Sequence, residues 1–349
     1  MRPLGQVERS VAEEIATACV DHLFSQLKSR GKFVYAHQYQ QPSVVHGGYN
    51  LLRHCGTVWF MCRAIRSLDI HLTARQERRL GAAVGYIRGK TATPSWIPQT
   101  TPALCITSRG VVKLGGVALA TLMFREFGRL HQVDGEALAA HFPDGVEQHC
   151  IQLDNYIVSQ LRGDDFVHKR VLSTGEVLPF RSEYYTGEAM LALMQSTRQV
   201  LGVRIALGKL LDRGYGLTEQ SHWMAYTACA ALRSGYSNES KVALYLERLI
   251  ESIASDPSYR ERRESTPIAC RTEALVEILR TYQQDNYLNA HLPRSAADTA
   301  EAIAAENLAL QMKYYGEGQF RKGDGSDKVQ IDYIQHNAAS FLGWFELGH

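Results

Sequence analysis

The chain has 349 residues, 45% hydrophobic and 21% charged, which suits one large globular domain or two and excludes a disordered, collagenous or fibrous protein. Thirty-eight Lys and Arg face 36 Asp and Glu, a formal charge of +2, so the balance does not mark a nucleic-acid binder. No apolar run nears the ~20 residues that cross a bilayer, and no membrane insertion is expected.

In chain order, Val7–Ser29 is polar and amphipathic, without the basic-then-apolar shape of a secretory leader, so a cytoplasmic location is the expectation. Tyr49–Leu68 is an apolar helical stretch opened by a polar cluster. Thr73–Arg88 has helical period and more charge, with Thr73 ahead of Glu77 as a start signal. Pro94, Pro98 and Pro102 mark a connection before the apolar Lys113–Phe127. Asp134–Leu161 is amphipathic again, and Phe166–Phe180 reads as a hairpin around Ser173-Thr174-Gly175. Apolar Glu183–Ser196, Ser221–Arg233 and Ile268–Tyr282 then alternate with amphipathic Arg198–Leu211, Glu239–Ser255 and Ser295–Lys313. In the last of these, Ala297, Ala300, Ile303, Ala304, Leu308 and Met312 trace one apolar stripe, and Ser295 ahead of Asp298 looks like its cap. Glycine-rich residues 316–328 lead into a final apolar segment, Gln330–Leu347.

Six helices that are apolar nearly all round alternate with six that keep one wet face. Small residues on every side let backbones approach closely, which suits helices packed on both flanks. The economical arrangement is six helical hairpins closed into a double ring, apolar helices inside and amphipathic ones outside. The expectation is an all-α, single (α/α)6 toroid domain over residues 1–349, with a few short β-hairpins in its loops. This pattern resembles the six-hairpin (α/α)6 toroid enzymes, a carbohydrate-active superfamily that includes glycoside hydrolases, the N-acylglucosamine 2-epimerase group and, in related toroids, polysaccharide lyases. The resemblance implies that a substrate sits in a central funnel lined by the starts of the inner helices.

Polar groups cluster at those starts. The last apolar segment carries Asp332, Tyr333, Gln335 and His336, with Asp332 and His336 on one helix face at i, i+4. A carboxylate beside an imidazole is an acid/base inventory. Glu188 enters an apolar helix inside its first turns, where a carboxylate is costly unless paired or open to a cavity. Glu183 is the more ordinary helix-start acid, and Tyr184 lies one turn before Glu188. The first segment offers Tyr49 with Arg53 and Asn50 with His54, both at i, i+4. The fourth adds His222 and Trp223, and the fifth Arg271 and Glu273. Trp223, Tyr184, Tyr185 and Trp96 are flat rings suited to stacking on a sugar.

The reading these groups support is a carbohydrate-active enzyme, foremost a glycoside hydrolase with Glu188 and Asp332 as its carboxylate pair across the funnel. Tyr49, Asn50, Arg53, His54, Glu183, Tyr184, His222, Trp223, Arg271, Glu273, Tyr333 and His336 are the candidate substrate-binding residues, and the expected partner is a carbohydrate rather than nucleic acid. The alternatives are a lyase or sugar epimerase with Tyr or His as base, or a toroid that binds a glycan or a partner without turnover. Seven cysteines, an odd number with no C-x-x-C, read as buried free thiols. No cofactor and no metal site are expected, since the inner segments offer no Cys/Cys/His set.

Overall fold

The computed structural model describes residues 7–39, 41–44, 48–130 and 140–348. Twelve long helices alternate outward and inward. The outer helices are α1 (Arg9–Gln26), α3 (Ala74–Arg88), α5 (Val146–Ser159), α7 (Leu201–Asp212), α9 (Glu239–Ser255) and α13 (Arg294–Gln311). Their inner partners are α2 (Leu51–Ser67), α4 (Leu114–Gly128), α6 (Tyr185–Met194), α8 (His222–Arg233), α11 (Ser265–Gln284) and α14 (Ile331–Glu346). Two short helices, α10 (Ser258–Glu261) and α12 (Asn286–His291), sit in connections where the sequence gave no clear signal.

Each inner helix packs on the next, α2 on α4, then α6, α8, α11 and α14, and α14 packs back on α2. The ring is therefore closed, and the chain has the (α/α)6 toroid fold. Burial follows the predicted contrast. Every residue of α4 from Leu114 to Phe127 is buried, whereas α9 buries only one stripe, including Val242, Leu246, Leu249 and Ile253. No helix of the described residues is long and apolar enough to cross a membrane.

Helix starts obey local chemistry. Asn50 caps α2 by accepting from the Leu52 amide, and Thr73 forms a full capping box with Gln76 at α3. The box partner is Gln76 rather than Glu77, because only the third helical residue reaches back to the cap. Ser295 is no cap: α13 begins at Arg294 behind Pro293, so Ser295 already lies inside the helix. The front of the Asp134–Leu161 segment falls partly outside the described residues.

The strands lie in the outer-to-inner connections, so they gather at the mouth where the inner helices begin. β1 (Ala36–Gln38) and β2 (Gln41–Val44) precede α2, and β3 (Thr91–Ala92), β4 (Cys105–Ser108) and β5 (Val111–Lys113) precede α4. Ahead of α6 come β6 (Leu161–Arg162), β7 (Asp165–Phe166) and β8 (Lys169–Val171). β9 (Tyr315–Gly316), β10 (Gln319–Gly323) and β11 (Ser326–Gln330) precede α14. One sheet runs β2-β1-β11-β10-β9 and a second β3-β4-β5-β8, while β6 and β7 pair alone. The register Ala36 with Gln330 and His37 with Val329 ties the first hairpin of the ring to the last. The Arg170–Val177 bridge makes the anticipated turn around Ser173–Gly175.

Candidate active site

The N-terminal ends of α8, α11 and α14 bring four chemical groups together. His336 Nδ1 lies 2.7 Å from Glu273 Oε1, and Glu273 Oε2 accepts a 2.9 Å hydrogen bond from the Tyr226 hydroxyl. The His222 ring meets the His336 ring edge-on at 5.3 Å. Donor atoms of His222, Cys270, Glu273 and His336 all lie within 4.8 Å of one another. Helical spacing places Cys270 and Glu273 on one face of α11, at i, i+3.

The two imidazoles sit in opposite electrostatic states. Burial alone would strip the proton from His336, but Cys270 and Glu273 outweigh it and hold this ring well above the ordinary histidine value. Burial drives His222 well below that value, and the charges of His336 and Arg271 add to the shift. His222 Nε2 is buried with no hydrogen-bond partner. At neutral pH the pair is one imidazolium and one free imidazole.

Glu188 lies one inner helix away on α6, near enough for the charge on His336 to act on it. Burial raises its pKa to about 8, and His336 pulls only weakly the other way. Its Oε2 is buried without a partner. The carboxyl fits only because residue 115 is glycine: a Cβ there would run into Glu188 Oε2 and the Tyr185 ring. Tyr184, one turn earlier, meets Glu188 through the backbone, Glu188 N donating to the Tyr184 carbonyl at 3.0 Å.

Asp332 is held differently. Its Oδ2 pairs with Arg53 Nε at 2.9 Å and its Oδ1 accepts from Gln330 Nε2 at 2.6 Å. Arg53, 43% exposed, also donates to the Tyr35 hydroxyl. Asp332 thus faces Arg53 rather than its helix neighbour His336, which turns to Glu273. Tyr184 is 50% exposed, and Glu183 is exposed beside it. Arg271 is half-buried and anchored to Gln220 Oε1 and the Glu219 carbonyl. Burial raises the half-buried Tyr333 hydroxyl to about 12.

Several candidates turn out to be structural. His54 is wholly buried, with Nδ1 on the Tyr49 hydroxyl and Nε2 on the Ala83 carbonyl, so both ring nitrogens are used inside the protein. Tyr49 spends its hydroxyl on His54 and the Phe33 amide, and Asn50 spends its carbonyl on the helix cap. Trp223 is buried and stacks on Trp59 from α2 at 5.9 Å, closing the ring's interior instead of offering a face to a sugar. Tyr185 is buried and the Trp96 indole donates to the Leu172 carbonyl, which leaves Tyr184 as the exposed ring of the four.

Two members of the cluster were not singled out from sequence. Tyr226 lies one turn after His222, at i, i+4, a signal that was present. Cys270 was grouped with the buried thiols, yet it is the one cysteine that is only partly buried. A thiol, two imidazoles and a carboxylate are also a donor set that can hold a divalent ion such as zinc, which the expectation of no metal site did not foresee.

No family model matches the chain, and no characterised protein sequence matches it. Solved structures do. A D-mannose isomerase superposes with a TM-score of 0.66 at 11% identity, covering 97% of this chain and 98% of that one. A cellobiose 2-epimerase from Bacillus thermoamylovorans gives 0.62 at 13% identity over 97% and 100% of the two chains. A glycoside hydrolase family 9 endoglucanase gives 0.51 at 11% identity over 97% and 85%. At these identities the likeness is one of fold, and the fold shared by all three is the closed ring of helical hairpins described above.

Proposed function

We propose that the chain is a carbohydrate-active enzyme working at the N-terminal mouth of its inner ring, and that its reaction is proton transfer beside a sugar carbonyl, as in an aldose–ketose isomerase or an epimerase. The observation that carries this reading is the pair of imidazoles at one mouth, rings 5.3 Å apart, with His222 Nε2 unpartnered and His336 Nδ1 held 2.7 Å from Glu273, surroundings that favour the neutral form of the first and the charged form of the second. Groups whose surroundings push their pKa values apart are assigned as base and acid. His222 Nε2 takes the proton from the carbon next to the carbonyl, while His336 protonates the carbonyl oxygen. Returning the proton to the former carbonyl carbon, while the neutral His336 takes up the proton of the neighbouring hydroxyl, gives the isomer; returning it to the other face of the same carbon, while His336 takes back the proton it gave, gives the epimer. Glu273 keeps His336 charged and oriented, and Tyr226 fixes Glu273. Tyr184 offers a ring for the sugar face, with Arg53 and Asp332 for its hydroxyls. The extent of the superposition on the isomerase and the epimerase, whose chains are covered almost entirely, supports the same reading.

Glycoside hydrolysis is the second reading, favoured by Glu188. A carboxyl held at about 8 carries its proton at neutral pH, as a general acid must, and Asp332 is the partner carboxylate.

Incubating the protein with mannose, glucose and cellobiose in D2O separates the two by NMR. Deuterium entering at C2 is the expected result, and His336→Asn should slow it ~10²–10⁴-fold. Reducing ends released from an oligosaccharide without exchange, and lost in Glu188→Gln, would establish hydrolysis instead.

A further inference from the structure

At the same mouth of the inner ring, on the α4 side of the first turn of α2, runs a groove of about 850 Å3. Its walls carry Lys32, Lys90, Arg109, Lys113 and Lys169, and among the described residues that line it there is no carboxylate. None of the five cations has an ion-pair partner among the described residues. Several lie over aromatic rings instead: Lys32 is 4.6 Å from the centre of Tyr49, Lys90 is 5.6 Å from Tyr86, and Lys169 is 5.4 Å from Phe180. Five like charges around one depression repel one another and focus a positive field into it, which an anion relieves. The amide of Leu51 and the rest of the capped α2 start add partial positive charge on the same side.

Arg109 reaches the groove from an unfavourable backbone position. It and Gly110 form the two-residue turn between β4 and β5, with φ of 54° and 73°. Asn-Gly is the preferred pair for such a turn, and arginine gains nothing there from its backbone. A cation kept at a site whose conformation favours asparagine points to use of the charge.

We propose that this groove binds the anionic part of an acidic sugar or oligosaccharide, a carboxylate, sulfate or phosphate. The proposal rests on the carbohydrate reading above and names its substrate class. The groove lies where α2 and α4 begin, at the same mouth of the inner ring as His336.

The test is a binding measurement by calorimetry, independent of turnover. The probes are a tri-galacturonate, a heparin-derived disaccharide, glucose 6-phosphate, neutral cellotriose and a single-stranded oligonucleotide of matched charge. The expected result is tighter binding of at least one acidic sugar than of cellotriose, weakening as salt rises. Arg109→Asn, which suits the turn and removes the cation, and Lys90→Gln should each weaken that sugar about tenfold and leave cellotriose unchanged. Equal affinity for acidic and neutral sugars, or no effect of either groove variant in a protein of unchanged thermal stability, overturns the proposal. An oligonucleotide bound more tightly than every acidic sugar also overturns it. If acidic sugars bind through the groove but no sugar is turned over, the groove stands and the enzyme reading falls.

Discussion

The two mouths of the inner ring bury similar side chains to opposite effect. At the C-terminal mouth a cavity of about 340 Å3 is walled by Arg63, Arg66, Arg129, Arg233 and Arg280 together with Glu126 and Glu277. Each carboxylate there has two arginines. Glu277 pairs with Arg233 at 2.7 Å and Arg280 at 2.6 Å, Glu126 with Arg66 and Arg129, and Glu346 with Arg280 and, more loosely, Arg63. Burial pushes the Glu277 carboxyl up, yet Arg280, Arg233 and Arg63 more than offset this and leave it below the usual glutamate range. Glu188 is as deeply buried at the other mouth, has no arginine, and rises to about 8. Burial does not decide protonation; the partner does. Helix C-termini expose carbonyls that welcome arginine, and there each buried carboxylate finds its counter-charge. At the N-terminal mouth Glu188 Oε2 and His222 Nε2 are buried without partners, as the proton-transfer reading proposed above needs.

Adding zinc puts the sharpest strain on that contrast. Among the described residues the donors cluster at the N-terminal mouth, so a slight excess of zinc should suppress nearly all turnover by occupying His222 and His336, and Cys270→Ser should restore much of it; zinc-activated turnover would reassign the cluster as a metal centre. Next in size, Glu277→Ala should destabilise the protein by ~3–5 kcal/mol in denaturant melts, because it strands buried guanidinium groups. Glu188→Gln replaces a neutral acid with a neutral amide and should cost far less.

The same two glutamates give opposite pH slopes. Glu188 has a raised pKa in the folded state, so its contribution is greatest below about 4.5 and is lost as pH climbs towards about 8. Glu277 has a lowered one, so its contribution is present at neutral pH and is lost as pH falls through the folded-state value. Thermal melts of Glu188→Gln and the parent should therefore diverge between pH 5 and pH 8, with the variant losing less stability as pH rises. The smallest effect falls on Asn50. Asn50→Ala should cost ~1 kcal/mol of stability through the lost cap, with sugar affinity little changed. A large loss of affinity would return Asn50 to the site.

Much of the ring was legible because period and composition carry it. All-round apolar α4 and one-sided α9 could be told apart by residue type alone, and the alternation then required closure. Glu188 and His336 stood out for a related reason, since a charge on an otherwise apolar helix has few structural excuses. What could not be read was direction. An inner helix buries its faces towards the funnel and towards both neighbours, so helical spacing cannot say which polar or aromatic group points to the centre. Trp223 turned to Trp59, His54 to Ala83 and Asp332 to Arg53 for that reason. The pairing of Glu273 with His336 spans 63 residues and two inner helices, beyond any local pattern. Cys270 was missed because a thiol in a helix reads as one more small apolar residue.

The closing contact of α14 on α2 also sets an order of assembly. α14 supplies His336 and Asp332, seals the inner ring and backs onto α1, while β11 completes a sheet begun by β1. A growing chain that has not yet reached Ile331 therefore holds an open arc of hairpins, with apolar flanks of α2 and α11 bare and the proton-transfer pair incomplete. Contacts between the two ends are the slowest kind to form. Packing of α14 covers both of those flanks, the surfaces on which aggregation of an open arc would start.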